Sequence, residues 1–239
     1  MVSSTFSFAL SIFFLNSFAL SLNSIITDKH ALISFRNSIT SDPNAILSTN
    51  WSQNTSVCNW IGVSCGLKHR RVTALNLSGY DLAGTAAPHL GNLTFLRYLD
   101  ISFNNFSGFL PFELSKLRRL KVMNVGANSF TGEMPTCGSI PREIGRLSYL
   151  RELHLGYNDG FQGGVPTEIG NLSRLEILNI DNASLTRDIP SSIFNISFLT
   201  QLSLRDNGLS GSIPTLLNLP RIEVLYLGNN KLRGIGSGQ

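Results

Sequence analysis

The sequence predicts a solenoid of the α/β class, in which short strands stack side by side and turns carry the chain round a shared apolar core. Three observations predict it. The pattern LxxLxLxxNxLxG returns at Val72, Leu96, Leu120, Leu150, Leu175, Leu199 and Ile222. The successive starts lie 24, 24, 30, 25, 24 and 23 residues apart. A second half-pattern, GxIPxxLGNL, follows several of them, as at Gly211-Ser212-Ile213-Pro214. Self-similarity at such a period marks stacked repeats, each of which buries its apolar face only against its neighbours.

The first element is a leader. Phe6 to Leu22 is almost wholly apolar, too short for a typical membrane span. Ala19-x-Ser21 offers a small-x-small cleavage site. Residues 1–21 are expected to be a signal peptide, although no Lys or Arg precedes the apolar run; an uncleaved anchor is the rival reading. No second apolar stretch follows, so the mature chain is expected to carry no membrane segment and to be exported.

Next comes a cap over residues 25–70. In TDKHALISFRNSI, Ala31, Leu32, Phe35 and Ile39 share one helical face, with Thr27 or Asp28 as N-cap. Cys58 and Cys65 lie seven residues apart, with Trp51 and Trp60 nearby. In an oxidising compartment they close a small disulfide loop; zinc is the rival, but no second Cys/His pair has ligand spacing. Cys137 is left over. A solenoid needs its open end sealed, and this segment is suited to the task.

The coils occupy residues 71–235, leaving 236–239 as a tail. Leu96, Leu99 and Ile101 alternate as inward strand residues do, and Phe106 and Leu110 fill the interior from the far side. Asn104, Asn128, Asn158, Asn207 and Asn230 recur where the chain leaves each strand, placed to satisfy turn backbone groups. Gly108 and Gly132 permit bends. Pro111 and Pro190 set the backbone on the convex side. Tyr80 and Ala183 stand where Asn is expected, and looser or water-filled turns are expected there. The repeat stutters at 134–141, where Gly-Glu-Met-Pro and Gly-Ser-Ile-Pro nearly abut. Either six residues were inserted into one coil, or eighteen were lost from two; the well-formed half-repeats on both sides favour the loss.

Composition excludes several functions. Only 14% of residues are charged, the net charge is +4, and the longest basic cluster is Lys68-His69-Arg70-Arg71. A nucleic-acid reader needs a denser basic face. His30, His69, His89 and His154 have no partner at catalytic or metal spacing, and no HExxH, GxSxG or phosphate loop is present. No enzyme activity, cofactor or metal is expected. Sequons start at Asn50, Asn54, Asn76, Asn92, Asn105, Asn171, Asn182 and Asn195, expected glycosylation sites of a secretory protein.

What remains is the outward face of the strands. Its candidate ligand residues are Arg97, Tyr98, Asp100 and Phe103, then Lys121 and Asn124, then Arg151, His154 and Tyr157, and finally Asn179, Asp181 and Arg205. Aromatics and charges on a rigid sheet suit a binding face.

The stretch TDKHALISFRNSITSDPNAILSTNWSQNTSVCNWIGVSC, followed by RRVTALNLSGYDLAGT, resembles the start of plant leucine-rich-repeat receptor kinases. The subgroup it most resembles comprises surface immune receptors that detect bacterial proteins. The motifs are Cys58-x-Trp60-x-Gly62-Val63-x-Cys65 and the GxIP-bearing repeats. The resemblance implies an α/β leucine-rich-repeat solenoid: a right-handed superhelix with a concave parallel sheet and a helical, disulfide-clipped N-terminal cap. It also implies an apoplastic or cell-surface location, a peptide or protein ligand, and a co-receptor kinase as partner. The family's C-terminal cap, membrane helix and kinase have no counterpart in the sequence, so kinase activity is not carried over. The alternatives are a secreted leucine-rich-repeat inhibitor of cell-wall-degrading enzymes, whose C-terminal cysteine pairs are missing, and a receptor gene remnant without function.

Overall fold

A computed structural model describes residues 25–131, 140–214 and 217–233. The expectations for the leader, for Gly132, for Cys137 and for the core of the stutter fall outside the described residues.

Helix α1 spans residues 25–37. Its Ala31, Leu32 and Phe35 are buried, as the helical period requires, whereas Ile39, expected on the same helical face, lies beyond the helix in a strand. Strand β1 (Ile39–Ser41) and the short helix α2 (Ile46–Asn50) follow. Asp42, upstream of α2, caps it: its carboxylate accepts from the backbone N–H groups of Ile46, Leu47 and Ser48 at 2.8, 2.9 and 2.9 Å. Burial alone would raise this carboxyl's pKa, but those donors together hold it below the ordinary aspartate value. Cys58 and Cys65 are disulfide-bonded, which rules out the zinc reading for this pair. Trp51 and Trp60 stack at 5.0 Å above Phe35. Each indole N–H has a partner, the Ile61 carbonyl for Trp51 and the Thr55 hydroxyl for Trp60.

The Asp28 expectation needs correction. Asp28 lies inside α1, fully buried, and accepts two hydrogen bonds from Arg71 and one from the Val72 N–H. It ties the cap to the first coil instead of starting the helix.

An eight-stranded sheet lines the concave side. In spatial order it contains β2 (Val63–Cys65), β3 (Val72–Asn76), β5 (Tyr98–Asp100), β7 (Val122–Asn124), β9 (Glu152–His154), β10 (Ile177–Asn179), β12 (Gln201–Ser203) and β14 (Val224–Tyr226). All neighbours run parallel except the β2–β3 pair, so the cap supplies the odd strand. Leu75, Leu99, Met123, Leu153, Leu178 and Leu202 stand in register, all fully buried. The 30-residue interval therefore leaves the concave register intact: Met123 opposes Leu153 directly.

On the convex side a smaller sheet joins β1, β4 (Ala83–Thr85), β6 (Asn105–Phe109) and β8 (Ser129–Thr131). Again the cap strand β1 is the antiparallel member. Beyond β8, among the described residues, the bridge Thr131–Gly160 alone continues it, and pairing resumes between β11 (Thr186–Asp188) and β13 (Gly208–Ser210). Among the described residues, the gap in convex pairing thus lies next to the repeat irregularity. Single 3-10 turns complete the coils, as at Phe112–Lys116 and Ser191–Asn195, and begin just after Pro111 and Pro190. Gly91 has a packing reason: any Cβ there would collide with the Glu113 carbonyl of the next coil.

The core is one column. Phe35 meets Phe106 at 5.7 Å, and Phe106 stacks on Phe130 at 6.3 Å. Beside it runs the asparagine ladder. Asn128 donates to the carbonyls of Ile101, Val125 and Gly126 at 3.0–3.2 Å and accepts from the Phe106 N–H at 2.9 Å. One amide therefore closes its own turn and joins it to the preceding coil; Asn104, Asn158, Asn207 and Asn230 repeat the arrangement. At Ala183 the turn is not looser. Ala183 is fully buried, and the Phe161 N–H, which an asparagine in place of Ala183 would have served, turns back to the Asn158 carbonyl at 3.2 Å.

Candidate functional site

The concave strands are only three residues long, so the displayed surface is set by the sheet and by the turn after each strand. Each turn has a left-handed backbone at one shared position, Gly79, Phe103, Ala127, Tyr157, Asn182, Asp206 and Asn229, with φ between 45° and 73°; the turns around Tyr80 and Ala183 add Asp81 and Ser184. Their backbones stay in the ladder; the Phe103 N–H donates to the Gly126 carbonyl at 3.0 Å and the Tyr157 N–H to the Asp181 carbonyl at 2.7 Å. Large side chains seldom take this conformation. Phe103 and Tyr157 nevertheless do, and they are 67% and 49% exposed. They stand two coils apart with the small Ala127 between them, so their backbones lie about 10 Å apart at the ~4.8 Å spacing of neighbouring strands.

The other candidates divide into two groups. Arg97, Lys121, Arg151 and Arg205 are exposed. Arg205 lies beside Tyr157, its Nη2 donating to the phenol oxygen at 3.5 Å, with Nε 3.3 Å from Asp181 and 3.5 Å from Asp206. Arg151 pairs with Glu176 at 3.2 Å, and His154 Nε2 lies 3.5 Å from Glu152.

Asp100 and Asp181 are displaced from the candidate surface, being only 8% and 4% exposed. Asp100 accepts from the Tyr98 hydroxyl at 3.0 Å, from Ser102 Oγ at 2.6 Å and from Asn124 Nδ2 at 3.3 Å. Asp181 accepts from Ser203 Oγ at 2.6 Å, from the Arg205 N–H at 3.0 Å and from Asn179 Nδ2 at 3.3 Å. These carboxylates, with Asn124 and Asn179, stitch neighbouring coils. Tyr98 is half-buried; burial first, and then its hydrogen bond to Asp100, push its phenol pKa up to about 12. The exposed members of the candidate set are therefore fewer than the sequence indicates: Phe103, Tyr157, Arg97, Lys121, Arg151 and Arg205. Ser102 and Ser203, which anchor the two carboxylates, went unnoticed because serine in a turn carries no distinctive sequence signal.

No group of histidine, cysteine or carboxylate side chains among the described residues could hold a metal. No helix among them is long and apolar enough to cross a membrane.

Comparison with known proteins supports the repeat architecture. Residues 25–66 match the leucine-rich-repeat N-terminal domain, and residues 95–117 and 197–237 match leucine-rich repeats. The leucine-rich-repeat receptor-like serine/threonine-protein kinase EFR of Arabidopsis thaliana is 38% identical over 95 residues, 40% of this chain and 9% of that protein. Receptor-like protein 39 of the same plant is 39% identical over 170 residues, 69% of this chain and 18% of that protein. The chain thus spans only a small part of the length of the curated relatives it matches. Among solved structures, the PEPR1–AtPEP1 complex aligns with a TM-score of 0.79 at 31% identity, covering 86% of this chain and 28% of that one. The HAESA receptor kinase of Arabidopsis, in complex with the peptide hormone IDA and the co-receptor SERK1, aligns with a TM-score of 0.56 at 28% identity, covering 86% and 42%. The chain is a capped leucine-rich-repeat domain of the kind that forms the ectodomains of plant leucine-rich-repeat receptor-like kinases and receptor-like proteins.

Proposed function

We propose that the chain is an extracellular recognition module that binds a peptide or protein ligand on its concave face, with a co-receptor kinase as its second partner. The observation that carries this reading is the pair Phe103 and Tyr157, two exposed aromatics held in a disfavoured backbone conformation on either side of Ala127. Exposed, conformationally fixed aromatics are the usual anchors of protein interfaces. Arg205, Arg97 and Lys121 favour an acidic stretch in the ligand. The HAESA complex, which holds a peptide hormone and a co-receptor, supports the ligand class. A role in surface immunity rests on the resemblance of the cap and repeats to immune receptors.

The test places a photo-crosslinking phenylalanine analogue at 103, 157 or the convex position 109, also an exposed Phe. Each glycosylated chain is exposed to fractionated peptide pools from bacterial and plant secretions. Labelling at 103 and 157 but not at 109 supports the concave reading, and labelling by bacterial fractions alone supports the immune role. Equal labelling at 109 overturns the site.

A further inference from the structure

A second surface lies off the concave face, at the residue just before the first leucine of each coil. Six consecutive coils place Phe95, Arg119, Tyr149, Arg174, Phe198 and Arg221 there, aromatic and arginine in strict alternation. Each lies four residues ahead of a core position, and those core positions are paired in register from Leu99 to Leu225, so the six side chains form one row along the lateral edge. The guanidinium of Arg119 stacks over Phe95 at 3.9 Å, that of Arg174 over Tyr149 at 4.7 Å and that of Arg221 over Phe198 at 4.2 Å.

Stacking fixes a flexible side chain in one orientation and leaves the in-plane N–H groups of its fork directed away from the ring. All three arginines are exposed. They repeat every second coil, about 10 Å apart at the strand spacing. A protein carrying only +4 overall thus arranges fixed cations in a straight line. A periodic row of anion-binding forks matches a linear polymer with periodic carboxylates.

The geometry points to a second binding site on this edge, for an acidic polysaccharide of uronate type whose carboxylates bridge Arg119, Arg174 and Arg221. This site is independent of the concave ligand site, and either can fail without the other. In an extracellular setting it would hold the module against a charged glycan matrix while the concave face stays open.

Affinity electrophoresis of the purified full chain through gels containing polygalacturonate, or dextran as the neutral probe, tests it. Expected are retardation by polygalacturonate that weakens as salt screens it, and none by dextran. Replacing Arg119, Arg174 and Arg221 together with Gln should weaken binding at least tenfold without moving the unfolding midpoint. Removing three positive charges elsewhere, at Arg142, Arg187 and Lys231, should leave binding within twofold. Exchanging the three edge arginines for Lys, which keeps the charge but loses the stacked fork, should weaken binding severalfold and guards against a folding defect in the Gln variant. Equal loss from the two charge-removing triples would reduce the effect to net charge and overturn the site. Absence of retardation of the unaltered chain, or full binding by the Lys variant, would overturn it too.

Discussion

Arg71 and Asp28 form a two-pronged ion pair, with Nε and Nη2 donating to the two carboxylate oxygens at 2.8 and 2.7 Å, between the cap helix and the first coil. Asp28 is fully buried and Arg71 nearly so. Removing one partner strands a buried charge, which costs about 3–5 kcal/mol. Arg71→Met and Asp28→Leu are each expected to lower stability by that amount in urea unfolding. The double variant should recover most of the loss, because an apolar pair leaves no orphan charge. Additive losses would show that the pair is not an energetic unit.

Asn128 serves one N–H and three carbonyls. Asn128→Ala leaves the Phe106 N–H without its partner, at about 1–3 kcal/mol for an unsatisfied group, while the Ile101, Val125 and Gly126 carbonyls keep Asn104, Asn158 and the Phe103 N–H as donors. A loss of about 1–3 kcal/mol is expected, above that for the exposed Asn229→Ala. Similar small losses for both would remove the ladder's structural role.

Phe103 takes φ 52°, a conformation that costs a non-glycine residue about 1–3 kcal/mol. Phe103→Gly relieves this cost while adding chain entropy of about 0.5–1 kcal/mol to the unfolded state. Stability should therefore change by under about 1 kcal/mol or rise, while concave-face labelling is lost. A fall of several kcal/mol would mean that the ring supports the fold and does not exist for display.

Tyr98 should ionise in an ultraviolet titration with a midpoint of about 12, above the ordinary tyrosine value. Its folded-state pKa is raised, so its stabilising contribution is fully present below pH 10 and is lost as pH rises through about 12. Replacing Asp100 with Asn removes a cause of the shift, and the midpoint should fall. A Tyr98 midpoint at the ordinary value of 10.0 would contradict the assigned environment.

Leu225 occupies the core register position of the last concave strand, yet it is 39% exposed, against complete burial for Leu202 beside it. Ile222, Leu227 and Leu232 are only partly buried. Hydrogen exchange should show low protection after Leu219 and high protection around Leu99 and Ile101. Uniform protection through Leu232 in a monomer would show the final coil to be self-sufficient.

The coils were legible because their signal is long-range and redundant: a leucine missing from one repeat is supplied by the alignment of the others. Disulfide pairing and the cap's apolar face were legible for local reasons. Asp28 was not, since its partner is 43 residues away and acid near the start of a helix ordinarily reads as a cap. Asp100 and Asp181 were assigned to the ligand face because outward strand residues look alike in sequence whether they reach solvent or a neighbouring coil. Phe103 and Tyr157 stood out by size, but their strained backbone needed coordinates. The arginine–aromatic row was present in the alignment, although an alternation between coils is invisible to a reading that follows the chain.

Both sheets end at the cap in an antiparallel strand, β2 on one side and β1 on the other, and the ion pair and disulfide lock that end. Mechanical load on the chain therefore meets a polar object. Pulled from its two ends, it should not yield everywhere at once but peel from β14 toward β3. Each released coil of 24 residues would give up about 80 Å of slack, a staircase of lengthening steps before the clamped end gives way.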